Sequence, residues 1–339
     1  MSKYNFGKYL SLYFLRYIPS RMDYSENTVK AYRDTFTIFL RYCTDILNLK
    51  PEKMELKDMN KDFIEDFLNW LVDEKGYSIS TRNQRLAALQ SFFRFLQIET
   101  PEYLEKCNSI LSIKAKKIPN TGLMTYLSIR AIQKLLATPN SKTKEGKRDL
   151  AILTLLYDTG ARVQEIIDLN ICDLRLSSPA TVKLLGKGQK VRVIPITPQT
   201  VNIMKFYIEA YQLIDDKNLE MPIFFNKQKR RLSRAGISYI LKKHFEIARM
   251  NNSDLFPVNI SPHTLRHSKA MHLLESDVNL IYIRDFLGHV SVSTTEIYAK
   301  ANPEIKRKAI EAASNNVLPE ETLTANEKEV LLDWLKEFI

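Results

Sequence analysis

The sequence predicts a mainly α-helical protein of two domains, with a small β-sheet confined to the second (an α+β domain). Three observations predict it. Apolar residues recur at steps of three and four through most of the chain. One short stretch, Thr181 to Ile196, changes period to two β-type runs around Gly186-Lys187-Gly188. Between the halves, SIKAKKIPNTG is basic, carries Pro119 and Gly122, and has no helical period. At 339 residues the chain exceeds the usual single core and suits two. The expected divisions are a helical domain at 1–117, a linker at 118–126, a second domain at 127–318 and a helical tail at 319–339.

In the first domain, Val29, Tyr32, Phe36, Phe39, Leu40, Cys43 and Ile46 form one helical stripe, with Ser25 as its cap. Phe63, Phe67, Trp70 and Leu71 form another after Asn60. A third helix is expected from Ser80, with Leu86, Leu89, Phe93 and Leu96 inward and Arg82, Arg85 and Arg94 elsewhere. Those arginines read equally as a solvated face or as phosphate contacts. In the second domain, Ser128 caps a short helix. RDLAILTLLYDTGARVQEIIDL then supplies an apolar helix, a break at Thr159-Gly160 and a second helix. The hairpin runs, Thr181 to Leu185 and Val191 to Ile196, follow, and helical patterns resume from Gln199 and near Ser238 to Ala248.

Lys and Arg outnumber Asp and Glu by 50 to 39, a formal charge of +11 that favours a polyanionic partner. No apolar run is long enough for a membrane helix, and the N-terminus lacks a secretory pattern, so no membrane partner and a cytoplasmic location are expected. The three cysteines, Cys43, Cys107 and Cys172, are far apart and fit a reducing compartment; Cys43 and Cys172 read as small buried side chains.

Six residues of the second half carry the chemistry. Arg162 follows the Thr159-Gly160 break, and Lys187 sits in the hairpin. His263 and Arg266 stand three apart, able to share a helical face. His289 follows Gly288, and Tyr298 comes nine residues later. Two arginines can clamp a phosphate and stabilise the added charge of a phosphoryl transition state. A lysine can protonate a leaving oxygen, histidines can move protons or hold phosphate, and a tyrosine can form a covalent phospho-intermediate. No carboxylate cluster suitable for a two-metal nuclease is evident. Taken singly, each residue has a duller role: a core tyrosine, a helix cap, or an Arg162–Glu165 ion pair. Glu165, His244, His267 and His272 read as structural.

The ordered set resembles the tyrosine recombinases of the integrase and Xer type, in the fragments DTGARVQEI, LLGKGQKVRVIPI, SPHTLRHSKAMHLLES and FLGHVSVSTTEIYAK. Ala161 and Lys269 depart from it, standing where a bulkier apolar residue and an aromatic are common. The resemblance is strong from Leu127 to Ala301 and weak over 1–117. It implies a two-domain C-shaped clamp, with a helical, SAM-like core-binding domain opposite a catalytic domain. It also implies attack by Tyr298 on a scissile phosphate, a 3′-phosphotyrosyl link and a free 5′-hydroxyl. Arg162 and Arg266 would hold the non-bridging oxygens, Lys187 would protonate the leaving oxygen, and His263 and His289 would assist. Neither ATP nor metal would be needed, and no cofactor is implied. The implied partners are double-stranded recombination sites bound by a homotetramer, through a Holliday junction; accessory proteins are left open. NPEIKRKAIEAA is the candidate for a helix donated between protomers.

Specificity is expected from the helix at Ser80 to Leu96 and from NKQKRRLSRAG, with Arg82, Arg85, Lys227, Lys229, Arg230, Arg231 and Arg234 as candidate DNA contacts. The first domain begins close to the N-terminus, which speaks against an arm-type integrase. Mobile-element integration or excision and Xer-like dimer resolution both remain. The rivals are relaxation of supercoils by a type IB topoisomerase and a non-catalytic architectural protein.

Overall fold

The computed structural model describes residues 5–20, 24–118, 124–213, 219–289, 291 and 295–298, the Lys187 side chain excepted. The chain divides into two compact units, Met1–Thr121 and Gly122–Ile339. The candidate donated helix and the last amphipathic segment lie outside the described residues.

Unit one is helical. It contains α1 (Phe6–Leu12), a π-helical turn (Tyr13–Tyr17), α2 (Ile18–Ser20), α3 (Glu26–Asp45), α4 (Lys61–Asp73), α5 (Ile79–Glu99) and α6 (Leu104–Leu111). Ser25 and Asn60 do cap α3 and α4, accepting from the backbone N–H of Thr28 and Phe63. The third helix starts earlier than expected, because Ser78 caps it and accepts from Thr81 N–H. The core is aromatic: Phe92 packs edge-on to Phe6, Tyr13 and Phe36, and Phe67 packs edge-on to Phe39. Such pairs add about 0.5–1.5 kcal/mol each beyond the area they bury. Tyr13 brings a hydroxyl into this core and donates it to Ser91 Oγ at 2.8 Å, satisfying a group that would otherwise be costly to bury.

Unit two contains α7 (Ile129–Leu136), α8 (Lys144–Asp158), α9 (Val163–Asp168), β1 (Leu174–Arg175), β2 (Thr181–Leu185), β3 (Val191–Pro195), α10 (Pro198–Tyr211), α11 (Arg234–Met250), α12 (Pro262–Glu275) and α13 (Leu280–Leu287). A helical turn at 295–298 follows. The hairpin is antiparallel, with Val182 opposite Ile194 and Leu184 opposite Arg192. The short β1 joins β2 as a third strand that the sequence pattern did not reveal, because two residues carry no periodicity. The core gathers α8, α10 and α11 around the sheet, with Ile152, Leu155, Val182, Met204, Tyr207 and Ile237 fully buried. Cys43 and Cys107 are buried, whereas Cys172 is exposed. Cys172 sits in the turn ahead of β1, where its backbone, not its side chain, is held by Leu219.

His244 and His272 have structural partners. His244 links Asp149 and Thr138, at 3.0 Å on each ring nitrogen, and His272 bonds the Tyr157 hydroxyl at 2.9 Å. Asp158 accepts from Thr197 N–H, the Thr197 and Thr200 hydroxyls, and Lys269. Lys269, where an aromatic is common in the resembled family, thus ties α12 to the end of α8, and its ammonium lies over the Tyr157 ring.

Candidate active site

The site is built from helix ends. α8 stops because Gly160 takes a left-handed φ of +56°, and this turn sets Arg162 at the N-cap of α9. Glu165, one turn on, accepts from Arg162 N–H at 2.7 Å and from Arg162 Nη1 at 2.9 Å. It also takes a bidentate pair from Arg192 of β3, at 2.8 and 2.7 Å. Burial would raise the Glu165 carboxyl, but the two guanidiniums outweigh it and hold it below the ordinary range. Glu165 therefore stays charged and clamps two arginines, which fits its structural reading.

Arg266 is buried in α12. Its Nη1 donates to the Gly160 carbonyl at 2.6 Å and its Nη2 to the Leu287 carbonyl at 2.7 Å. These carbonyls close the α8 turn and end α13, where a cation is favoured by the helix dipole. Burial, with Arg162 nearby, pulls the guanidinium down to about 10, so it remains charged at neutral pH. A guanidinium has five N–H donors, so two structural bonds leave others for a phosphate.

Gly288 ends α13 with a left-handed φ of +65°, and a Cβ there would meet Arg192 Nη1 at 3.0 Å. His289 follows; its Nδ1 bonds the buried Thr295 hydroxyl at 2.9 Å. Thr295 opens the turn that carries Tyr298, and the His289 and Tyr298 rings lie parallel, 6.4 Å between centroids. Tyr298 is buried among Ala270, Met271, Leu274, Ile283 and Leu287 of α12 and α13. Burial raises its phenol above the ordinary value, partly countered by Arg266 and Arg162, so it is protonated at neutral pH. Its hydroxyl lies 3.0 Å from His267 Nδ1. His263 sits one turn before His267, ring centroids 6.3 Å apart, close enough to Arg266 and Arg162 to feel their charge.

Five of the six sequence-predicted residues, Arg162, His263, Arg266, His289 and Tyr298, thus converge. Lys187 has its backbone in the turn Lys187–Gln189 joining β2 to β3; its side chain lies outside the described residues. Two neighbours were not placed in the site by sequence reasoning, which passed over Arg192 and read His267 as structural, though each left a signal. Arg192 sits two residues from buried Ile194, so strand alternation turns both to the core, and a charge there demands a partner. His267 follows His263 by four residues, one helical turn along the same face.

Desolvation, helped by the site's other cations and histidines, pushes His267 and His289 down to about 4 each. An unfolded imidazole takes its proton near ~6.5. The unfolded chain therefore binds more protons between the two values, so this contribution to stability is complete above the unfolded pKa and lost as pH falls towards 4. The expected result is a melting temperature that falls as pH drops through about 6.5 to 4.5. Thermal unfolding followed across that window checks it, and a flat profile would refute it.

The candidate DNA contacts divide. Arg82 is buried, not projecting: it donates to Asn83 Oδ1 at 3.1 Å and to the Lys114 carbonyl at 3.2 Å, tying α5 to the end of its unit. Arg85 donates to the Ala31 carbonyl and Thr35 hydroxyl of α3. Arg231 donates to the Ile167 and Leu169 carbonyls and to Asn170, and Arg234 to Gln164. Lys227, Lys229 and Arg230 are exposed on a tight turn in which Asn226 N–H bonds the Arg230 carbonyl.

Cationic clamps, imidazoles and a buried phenol together make a site able to hold a phosphate beside a phenol. Residues 125–304 match the phage integrase family, and residues 12–101 match the phage integrase N-terminal SAM-like domain. The chain belongs to this family, the tyrosine recombinases, which cleave and rejoin DNA in site-specific recombination. It is 33% identical to a putative integrase/recombinase, y4rC, of Sinorhizobium fredii, over 90% of each chain. It is 32% identical to tyrosine recombinase XerC of a Roseiflexus species, over 93% of this chain and 98% of that one. In fold it resembles the Tn1549 transposon integrase in complex with transposon right-end DNA, with a TM-score of 0.68 at 16% identity, over 89% of this chain and 98% of that one. It also resembles XerH bound to a palindromic difH substrate, with a TM-score of 0.64 at 23% identity, over 84% of this chain and 79% of that one. Among the described residues no helix is long and apolar enough to cross a membrane.

Proposed function

We propose that Tyr298 is the nucleophile, forming a 3′-phosphotyrosyl link to one strand of a duplex site and releasing a 5′-hydroxyl. The carrying observation is the convergence of Arg162, Arg266, His263 and His289 around a phenol on the turn at 295–298. Arg162, anchored by Glu165 and partly exposed, and Arg266, anchored by two carbonyls, take the non-bridging oxygens. Anchoring in advance matters, because donors that need not reorganise stabilise the developing charge most. Lys187, placed by the hairpin turn, protonates the leaving 5′-oxygen. His263 and His289 are uncharged at neutral pH, so they bind phosphate oxygens as neutral donors and serve in proton transfer. The bond energy is kept in the protein–DNA link, which makes rejoining by a partner's 5′-hydroxyl feasible without ATP or metal. Four protomers on two sites then exchange strands through a Holliday junction.

The biological task is integration or excision of a mobile element, or Xer-like dimer resolution. Relatives named as an integrase/recombinase, as XerC and as a transposon integrase support the reading, and the cytoplasm is the compartment either task requires. The test starts from duplex sites selected by binding from a randomised library. Wild-type protein with chelator should form a denaturant-resistant adduct on a nicked site, and junctions and recombinants from paired intact sites. Adduct with relaxation of supercoils but no junctions would favour the topoisomerase, and specific binding without adduct the architectural protein.

DNA contacts are proposed at Lys227, Lys229 and Arg230, and at Arg231 and Arg234, which are exposed too but also hydrogen-bond within the protein. Neutralising Lys227, Lys229 and Arg230 together should flatten the dependence of log K on log salt by roughly 0.9 for each phosphate no longer neutralised. Arg82→Ala and Arg85→Ala should instead leave the salt slope alone and destabilise the protein by about 1–3 kcal/mol, since their carbonyl partners lose a charged donor. Titrations at several salt concentrations, beside denaturant unfolding, separate the two classes. An Arg82→Ala protein of wild-type stability and reduced slope would return Arg82 to the DNA interface.

A further inference from the structure

We infer that His267, rather than only packing α12, takes the proton from Tyr298 as it attacks; this rests on Tyr298 being the nucleophile. Among the described residues, the Tyr298 hydroxyl bonds one partner, His267 Nδ1, at 3.0 Å, within ordinary hydrogen-bonding distance. The rings are tilted by 56° with centroids 5.7 Å apart, so the hydroxyl meets the ring nitrogen and not the ring face. A buried phenol is a poor nucleophile until its proton has somewhere to go. The other described groups near it are less suited. Arg162 and Arg266 are cations without an acceptor, His289 lies parallel to Tyr298 at 6.4 Å with its Nδ1 engaged by Thr295, Glu165 is saturated by two arginines, and His263, one turn before His267, does not bond the hydroxyl.

His267 is kept ready for the role. The groups facing it are His263 and Arg266 on its own helix, His289 after α13, and Tyr298. Burial first, and then His263 and the Arg266 guanidinium, keep the imidazole neutral, with Nδ1 free to accept when the proton is on Nε2. In the step, the Tyr298 Oη–H bond breaks and its proton passes to Nδ1. The Oη–P bond forms, the P–O5′ bond breaks, and the leaving oxygen takes its proton from the acid on the other side. The scissile phosphodiester brings negative charge, and more develops as the phosphorane forms, which favours an imidazolium at His267 at that moment. Rejoining runs the transfer backwards and returns the proton to the phenol.

The test uses full-length wild-type, Tyr298→Phe, His267→Gln and His267→Ala proteins on the same nicked site. Adduct formation is followed at saturating protein from about pH 6 to 9. His267→Gln keeps a hydrogen-bonding partner but cannot accept a proton. It should bind DNA like wild type and cleave about 10²-fold or more slowly. Its rate should rise about tenfold per pH unit where wild type is flat. The defect should persist when a sulfur replaces the bridging 5′-oxygen, because a thiolate leaves without protonation. Added imidazole should partly restore His267→Ala. His267→Gln cleaving within about threefold of wild type with an unchanged pH profile overturns the inference and leaves His267 a packing residue. Rescue by the sulfur substrate would overturn it too, moving His267 to the leaving-group side. If wild type itself forms no adduct, the reading of Tyr298 has failed instead.

Discussion

Tyr298→Phe should remove the covalent adduct altogether, a loss on the order of 10⁴-fold or more in cleavage, while DNA binding survives. The size follows from the chemistry. Without the phenol oxygen the proposed nucleophile is gone, and the neighbouring arginines, as guanidinium cations, cannot replace it. Stability should change little, by about 0.5–1.5 kcal/mol, because one hydrogen bond to His267 is lost while the ring still fills its apolar seat. Electrophoresis of end-labelled, nicked duplex under denaturing conditions, with a melting curve beside it, tests both halves. A Tyr298→Phe protein that still formed the adduct would move the nucleophile to another of the 16 tyrosines.

The largest effect on folding is expected at Glu165. Its carboxylate is 4% exposed and sits between Arg162 and Arg192, the latter with its side chain 12% exposed. Glu165→Gln removes the negative charge and leaves two guanidiniums facing each other. Breaking a buried ion pair from one side typically costs about 3–5 kcal/mol, because the remaining charge stays desolvated. The pH dependence has a definite sign. Glu165 is held below its ordinary range when folded, so its contribution is present above the unfolded carboxylate pKa and lost as pH falls through the folded one. The variant should therefore be less stable at neutral pH and lack that part of the acid-side decline. Cleavage should fall as well, since Arg162 loses the group that aims it. Denaturant midpoints at neutral and acid pH measure this; an unfolding free energy within about 1 kcal/mol of wild type at neutral pH would sink it.

Helix positions and the hairpin were legible along the chain because their signals are local. Ser25, Asn60 and Ser128 cap the helices they were expected to cap, and Val182 and Leu184 alternate inward on β2. The composition of the site was legible for the same reason: Arg162, His263, Arg266, His289 and Tyr298 each carry a type and a spacing that a linear text preserves. Which cations are free was not legible. Arg82 looked like any arginine on a helix, and only the return of the chain at Lys114 buries it and occupies its guanidinium. Arg192 was passed over and His267 read as structural because their partners, Glu165 and Tyr298, lie 27 and 31 residues away. The sequence by itself determined the two-part helical organisation, the hairpin and the inventory of reactive groups, since these depend on periodicity, capping and residue chemistry. The tertiary structure alone decided which arginines are spent on carbonyls, which histidine meets the phenol, and which protons each group holds. Those properties depend on burial and on charges brought together from distant segments, and neither exists until the chain has folded.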